Sequence, residues 1–345
     1  MRQMAQKPRP SLRIVAAQAG CTTTTVWLAL RNDPRVTPET RQRVQRIARE
    51  LGYTPDALQS TMMAQVRARK SPQQRITLAF LTAFPQRDEW RKASLYRDYF
   101  AGAAERAHQL GYQLEEFWAK EPGMTGRRLT EILVTRNIRG LLICSLPRPY
   151  GHLSLDWSQF AAATFGYSLR RPELHRTSYD HFRGTTTVLH QVKRLGYRRV
   201  GLVQAGDTER INEAYRAAVA GDQLRVPVRQ RVPPLVADTL SDEAIKAWFI
   251  RHQPDLVLSP GPSAMRCIRA CGRSIPRDVG YVFLQWESRN APCAGIENNP
   301  KLVGAEAVNL VVRQLQNNEF GIPAHPVVVL VEGTWHDGAT IRPQR

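Results

Sequence analysis

Apolar side chains return at intervals of three and four from residue 12 onward. Leu12, Val15, Ala16 and Ala19 share one helical face, and Gly20 stands where a helix C-cap needs positive φ. Thr22 predicts the N-cap of a second helix, with Val26, Ala29 and Leu30 turned inward. Asn32-Asp33-Pro34 reads as a turn. Thr37-Pro38-Glu39 then places a capping hydroxyl before a proline at the first helical position, opening a third helix that runs to Leu51-Gly52. Three such short helices predict a compact all-α module over residues 11–55, preceded by a disordered basic arm at 1–10. Pro55 interrupts the pattern. Residues 56–66 predict one short isolated helix, and 67–75 (RARKSPQQR) have the composition of a linker, so 56–74 reads as a connecting segment.

From residue 75 to 345 the period alternates between strand and helix. Strands are predicted at 76–84, 113–118, 140–146, 161–167, 198–204, 255–259, 279–284 and 327–331. Helices are predicted at 94–110, 125–137, 181–195, 209–221, 241–252, 262–271 and 301–318. Such alternation implies two wound α/β halves with mainly parallel sheets. The expected subdomains are about 75–195 plus 302–320, and 197–300 plus 322–345.

Charge narrows the function. The chain has 49 Lys+Arg against 30 Asp+Glu, a formal net charge of +19. Residues 1–70 hold 13 basic and 4 acidic side chains, so +9 lies on a fifth of the chain. This excess favours a polyanionic partner. No run of about 18 apolar residues exists, which argues against a membrane span, and Met1–Pro10 lacks the apolar stretch of a signal peptide. A cytoplasmic, nucleoid-associated location is therefore expected. Five cysteines give no disulfide framework, and Cys267 and Cys271 lack the second Cys/His pair of a zinc site. No metal or other cofactor is expected. Neither G-x-S-x-G, a Walker motif nor G-x-G-x-x-G after a strand occurs, and the neighbouring Asp180 and His181 would point about 100° apart on a helix, a poor acid/base dyad. No catalysis is expected.

The first two helices, joined through Gly20-Cys21, have the tight corner of a helix-turn-helix. Its second helix would enter the DNA major groove with Thr22-Thr23-Thr24-Thr25 at the leading end. Threonine hydroxyls can hydrogen-bond bases or phosphates, and threonine methyls can touch a thymine methyl. Residues 12–61, with the text LRIVAAQAGCTTTTVWLALRNDPRVTPETRQRVQRIARELGYTPDAL, resemble the DNA-binding headpiece of the LacI/GalR family of bacterial regulators. The later segments YDHFRG (179–184), LGYRRVGLV (195–203), SIPRDVG (274–280) and NNPKLVGAEAVNLVVRQL (298–315) resemble that family's periplasmic-binding-protein-like effector domain, and EG-x-W near the end marks a family branch.

The resemblance implies several roles. Thr23 and Thr24 fall on base-reading positions, while Thr22 and Thr25 hold phosphate or cap the helix. Arg35, Thr37 and Thr40 fall on DNA-contacting positions around the third helix. Leu28 replaces a frequent base-reading Arg and can offer only an apolar contact, with Trp27 before it. Residues 56–66 match a hinge helix that folds on DNA, with Met62 as the apolar wedge in the minor groove and Leu58 packing beneath it. In the effector cleft, Asp180 matches an acidic residue, Arg210 or Arg216 the ligand-binding Arg, and Gln285 the usual acid that grips sugar hydroxyls. Pro260-Gly261 replaces the usual Asn-Asp. The loss of acids weighs against the commonest sugar grip, although a sugar-like or other polar effector remains the expected class. The expected protein is a homodimeric, sequence-specific transcriptional regulator, in repressor mode, of a pseudo-palindromic operator in double-stranded DNA. A small molecule tunes its affinity, and it has no membrane partner. Two rivals are a solute-binding protein of the same double-wound fold and a non-specific nucleoid-type DNA binder. The first should carry an export signal and no basic three-helix module.

Overall fold

A computed structural model describes residues 11–344, apart from Arg31, Pro34, 54–75, Asp207 and Asn212. The expected basic arm and the hinge segment with Leu58 and Met62 lie outside the described residues. Helices α1 (Leu12–Ala19), α2 (Thr23–Leu30) and α3 (Pro38–Glu50) form the N-terminal module. Val15, Ala16, Ala19, Val26, Ala29, Val36, Val44, Ile47 and Ala48 make its core. Gly20 caps α1 at φ 62°, and the Thr37 hydroxyl accepts from the Thr40 N–H at the start of α3.

Two six-stranded sheets follow. The first contains β1 (Ile76–Thr82), β2 (Tyr112–Trp118), β3 (Gly140–Ile143), β4 (Ala161–Phe165), β5 (His175–Tyr179) and, from the far end of the chain, β11 (Val328–Val331). Its order is β11-β5-β4-β3-β1-β2, all parallel. The second is built from β6 (Val200–Ala205), β7 (Leu235–Ala237), β8 (Leu256–Ser259), β9 (Gly280–Trp286), β10 (Gly295–Glu297) and β12 (Thr334–His336). Its order is β12-β10-β9-β8-β6-β7, with only β12 antiparallel. Helices α4 (Ser94–Gln109) and α10 (Pro300–Asn317) share a core with one face of the first sheet, and α5 (Gly126–Thr135) covers the other. Helices α6 (His181–Arg194) and α7 (Ala214–Gln223) cover one face of the second sheet, with α8 (Asp242–His252) and α9 (Ser263–Ala270) on the other.

Two subdomain boundaries differ from the expectation. Helix α6 was expected with the first half, yet Val188, Leu189 and Val192 pack with Leu202, Tyr215 and Leu258 of the second. Segment 322–345 was expected wholly in the second half, yet β11 pairs with β5 of the first sheet. The reason is geometric: the chain crosses between halves three times, after Tyr179, after Glu297 and after Val331, each time from the carboxyl end of a strand. The strand β5 itself went unpredicted.

Helices α4 and α10 approach through glycines. A Cβ on Gly304 would lie 2.2 Å from the Tyr99 carbonyl oxygen, and one on Gly102 would lie 1.9 Å from that of Lys301. Backbone atoms cannot yield as a side-chain tip can. Gly304→Ala is therefore expected to overpack this seam and destabilise the effector domain by about 1–3 kcal/mol, read from chemical denaturation. An unchanged midpoint and slope would show that the helices are not so closely apposed.

Candidate DNA-binding module and effector cleft

The N-terminal end of α2 is built by its own threonines. The Thr22 Oγ1 accepts from the Thr25 N–H at 3.1 Å and lies 2.9 Å from the Thr25 Oγ1, which fixes the first turn. Thr23 and Thr24 are left exposed at the leading edge. The following loop is pinned by Gln45, whose Nε2 donates to the Ala29 carbonyl at 3.1 Å and Asn32 Oδ1 at 2.8 Å. Arg41 Nη2 donates to the carbonyls of Asp33 and Val36. Thr37 and Thr40 share hydroxyls at 3.1 Å.

Two DNA-contact expectations acquire a different setting. Leu28 packs, half-buried, against the module's core. Arg35 is clasped by Asp33, with Nε donating to Oδ1 at 2.9 Å and Nη2 to Oδ2 at 2.8 Å. The Arg35 side chain nevertheless stays 73% exposed. The guanidinium holds the Asp33 carboxyl below the usual carboxylate range. A phosphate at Arg35 must therefore compete with a counter-ion already in place.

Between the sheets, all strands except β12 aim their carboxyl ends at the cleft, where open α/β sheets bind ligands. Ser259, Pro260, Gly261, Ser263, Phe283, Gln285, Glu287, Arg289 and Asn290 line a cavity of about 680 Å³. Gln285 thus reaches the cavity as expected. Arg210 also faces the cleft: it donates to Tyr96 Oη and, at 3.3 Å, to the Pro147 carbonyl of the other subdomain. The remaining candidates are engaged locally. Arg216 is exposed on α7 and pairs with Glu213 at 2.9 Å, because that carboxylate lies one helical turn away. Asp180 caps α6, accepting from the Arg183 N–H at 2.8 Å. Trp286 stacks on His336 at 3.8 Å and donates to the Cys293 carbonyl, which commits it to packing.

Sequence reasoning missed Ser94, Tyr96 and Glu287. Ser94 Oγ donates to Glu287 Oε1 across the cleft at 2.9 Å. Together with the Arg210–Tyr96 bond, this clamps the first turn of α4 to the second subdomain at two points. An acid two residues beyond Gln285 gives no sequence signal of its own.

Residues 11–56 match the family described as "Bacterial regulatory proteins, lacI family". Over 348 aligned residues the chain is 25% identical to the HTH-type transcriptional regulator CelR of Thermobifida fusca, covering 95% of this chain and 97% of that one. The N-terminal module is a LacI-family DNA-binding domain. Among solved structures, the chain is similar to a transcriptional regulator CelR–cellobiose complex, with TM-score 0.55 and 22% identity over 96% of this chain and 100% of that one. It is also similar to the Lac repressor dimer bound to operator and the anti-inducer ONPF, with TM-score 0.55 and 16% identity over 96% and 98%. It is a DNA-binding transcriptional regulator with an effector domain. No helix among the described residues is long and apolar enough to cross a membrane, and no cluster of three or more metal-ligating side chains occurs among them.

Where the three crossovers meet, His181 lies edge-on to Tyr179 at 4.8 Å and to Tyr215 at 5.2 Å. Burial pushes the His181 imidazole down to about 4 from its ordinary 6.5. The unfolded chain thus binds an extra proton between those limits, and stability falls as pH drops from 6.5 toward 4. The loss is at most about 3 kcal/mol. His181→Phe is expected to flatten that slope in thermal melts from pH 7.5 to 4.5; an equally steep slope in the variant would remove His181 as its source.

Proposed function

We propose that this regulator binds a pseudo-palindromic operator as a homodimer, with repression as its basal mode, and that a polar, sugar-like molecule in the cleft changes its operator affinity. The observation that carries the reading is the pair of cross-cleft hydrogen bonds, Ser94–Glu287 and Tyr96–Arg210, beside a cavity lined with hydroxyl, amide and carboxylate groups. A ligand that fills the cavity competes for Glu287, whose carboxylate also accepts from Ser94 of the other subdomain. It therefore acts on the angle between the subdomains, which is a differential contact of the kind a population shift requires. Glu287 supplies an acidic hydroxyl acceptor close to Gln285, which returns sugar hydroxyls to consideration. CelR, the relative seen with cellobiose, makes that disaccharide the first probe.

On DNA, Thr23 and Thr24 are assigned to base edges, while Thr22, Thr25, Thr37 and Thr40 are assigned to phosphates or to holding the module's turns. Arg35 exchanges Asp33 for phosphate when DNA docks. Leu28 supports the recognition helix from within and makes at most an apolar contact at its edge. Leu58 and Met62 are assigned to the hinge that carries cleft movement to the minor groove. Asp180 serves by capping the helix that starts at the hinge, and Arg216 is assigned no ligand contact.

Duplexes selected from a random pool by the full-length protein should compete at least about a thousand-fold better than unselected DNA at fixed salt. Thr24→Ala should reduce preference at one symmetric pair of positions by about 1–3 kcal/mol per contact. Equal affinity for selected and unselected duplexes contradicts the specific-regulator reading. Cellobiose and related oligosaccharides, tested by thermal shift and then in operator binding, should shift both readouts through Gln285. A hit whose affinity survives both Gln285→Ala and Glu287→Gln unchanged does not use this cavity.

A further inference from the structure

The charge excess is not confined to the N-terminal module, because +10 of the +19 falls outside residues 1–70. Part of it gathers at one end of the second subdomain. Since the carboxyl ends of β6, β8 and β9 face the cleft, their amino ends and the C-termini of α6, α7 and α8 lie at the opposite pole. The chain from the N-terminal module enters at the amino end of β1, the outer pole of the first subdomain, so this second pole is remote from that entry.

Arg198 stands there just before β6, Arg225 and Arg229 in the loop after α7, and Arg251 in the last turn of α8; all four are exposed. Arg199 draws the segments together by donating to the carbonyls of Arg229, His252 and Gln253. The nearby carboxylates are already engaged. Asp222 pairs with Lys193 and Asp278 with Arg277, while Asp255 accepts from the backbone N–H groups of residues 198 and 199. Among the described residues no ion pair neutralises Arg198, Arg225, Arg229 or Arg251. A cation in the last turn of α8 complements the helix dipole, which accounts for Arg251. That effect does not account for Arg198 or Arg229, which lie in connections.

We propose that this arginine pole docks a second DNA duplex, separate from the one under the N-terminal module. The charge carriers are guanidinium groups, whose planar forks match phosphate oxygens in pairs. They sit on segments held by Arg199 through backbone carbonyls, so the fold is braced without consuming their charge. A protein that holds DNA at one end also keeps duplex at high local concentration around the other. Leu224 and Val228 are exposed on the same loop; they would form the buried centre of a contact with an acidic protein, and a duplex has no use for them.

The test uses the full-length protein, a tethered random-sequence duplex and a dye-labelled second one at low salt. The wild type should retain the labelled duplex. R225E/R229E/R251E should retain at least about ten-fold less, and the salt slope of this second contact should fall by about two to three, while affinity for the tethered duplex stays within about two-fold. None of these three side chains makes a hydrogen bond among the described residues, so the fold should survive; R225K/R229K/R251K should keep most of the retention. L224S/V228S should leave it unchanged. Three results overturn the proposal: no second duplex on the wild type, equal retention by the Glu variant, or loss in L224S/V228S with none in the Glu variant.

Discussion

The effector domain depends on bringing three chain crossings to one place. Tyr179, the last residue of β5, fills it. A Cβ on Gly184 would lie 1.6 Å from the Tyr179 hydroxyl, and one on Gly333 would lie 2.8 Å from its ring. Only glycine at both positions lets the first and third crossings close around the ring. The Asp180 N–H donates to the Val331 carbonyl, and Asn299 Nδ2 donates to the Glu332 carbonyl and to Thr334 Oγ1, so each crossing is tied to another. Because every crossing leaves from the carboxyl end of a strand, both sheets must turn those ends toward each other. The cleft follows from the topology.

That arrangement gives two rigid bodies on a short connection. Each subdomain has its own dense core, one with Phe80, Tyr99 and Phe165 among its aromatics and the other with Tyr197, Tyr215 and Tyr281. Packed cores do not deform continuously, so a change at the cleft is taken up as rotation about the crossings. The bonds at Ser94 and Tyr96 bridge the two subdomains. Both lie on the first turn of α4, and the same helix packs on α10 through Gly102 and Gly304. A group bound at Glu287 or Arg210 is thereby connected to the subdomain whose first strand follows the DNA-binding module.

Most of the architecture could be read from the order of residues because local chemistry and tertiary packing agree there. Thr22, Gly20 and Thr37-Pro38 mark helix ends that are present, and the runs at 78–82 and 280–284 are buried parts of strands. The strand His175–Tyr179 was hidden because its composition is polar. It is buried between β4 and β11, with the Thr177 hydroxyl donating to the Val303 carbonyl and His175 Nδ1 accepting from the Val327 N–H. Helix α6 carries no mark of which half it joins; the crossing after Tyr179 decides that. In the candidate site, Gln285 and Arg210 were legible from the resemblance. Asp180 and Arg216 are engaged by near partners, a backbone N–H and Glu213. Ser94 and Glu287 are 193 residues apart, and pairs so distant have no local pattern.

The most direct measurement is the operator affinity of full-length Ser94→Ala/Tyr96→Phe protein in the absence of any ligand, on a duplex selected by the wild type. Both substitutions remove hydroxyls that bridge the cleft and leave Glu287, Arg210 and the DNA-binding module intact. Coupling between sites of this kind amounts to about 1–3 kcal/mol. The account therefore predicts an affinity changed about five-fold or more, in the same direction as that produced by a cleft ligand. An affinity equal to that of the wild type, with a cleft ligand still shifting it by the usual amount, would contradict the claim that these cross-cleft bonds set the DNA-binding state.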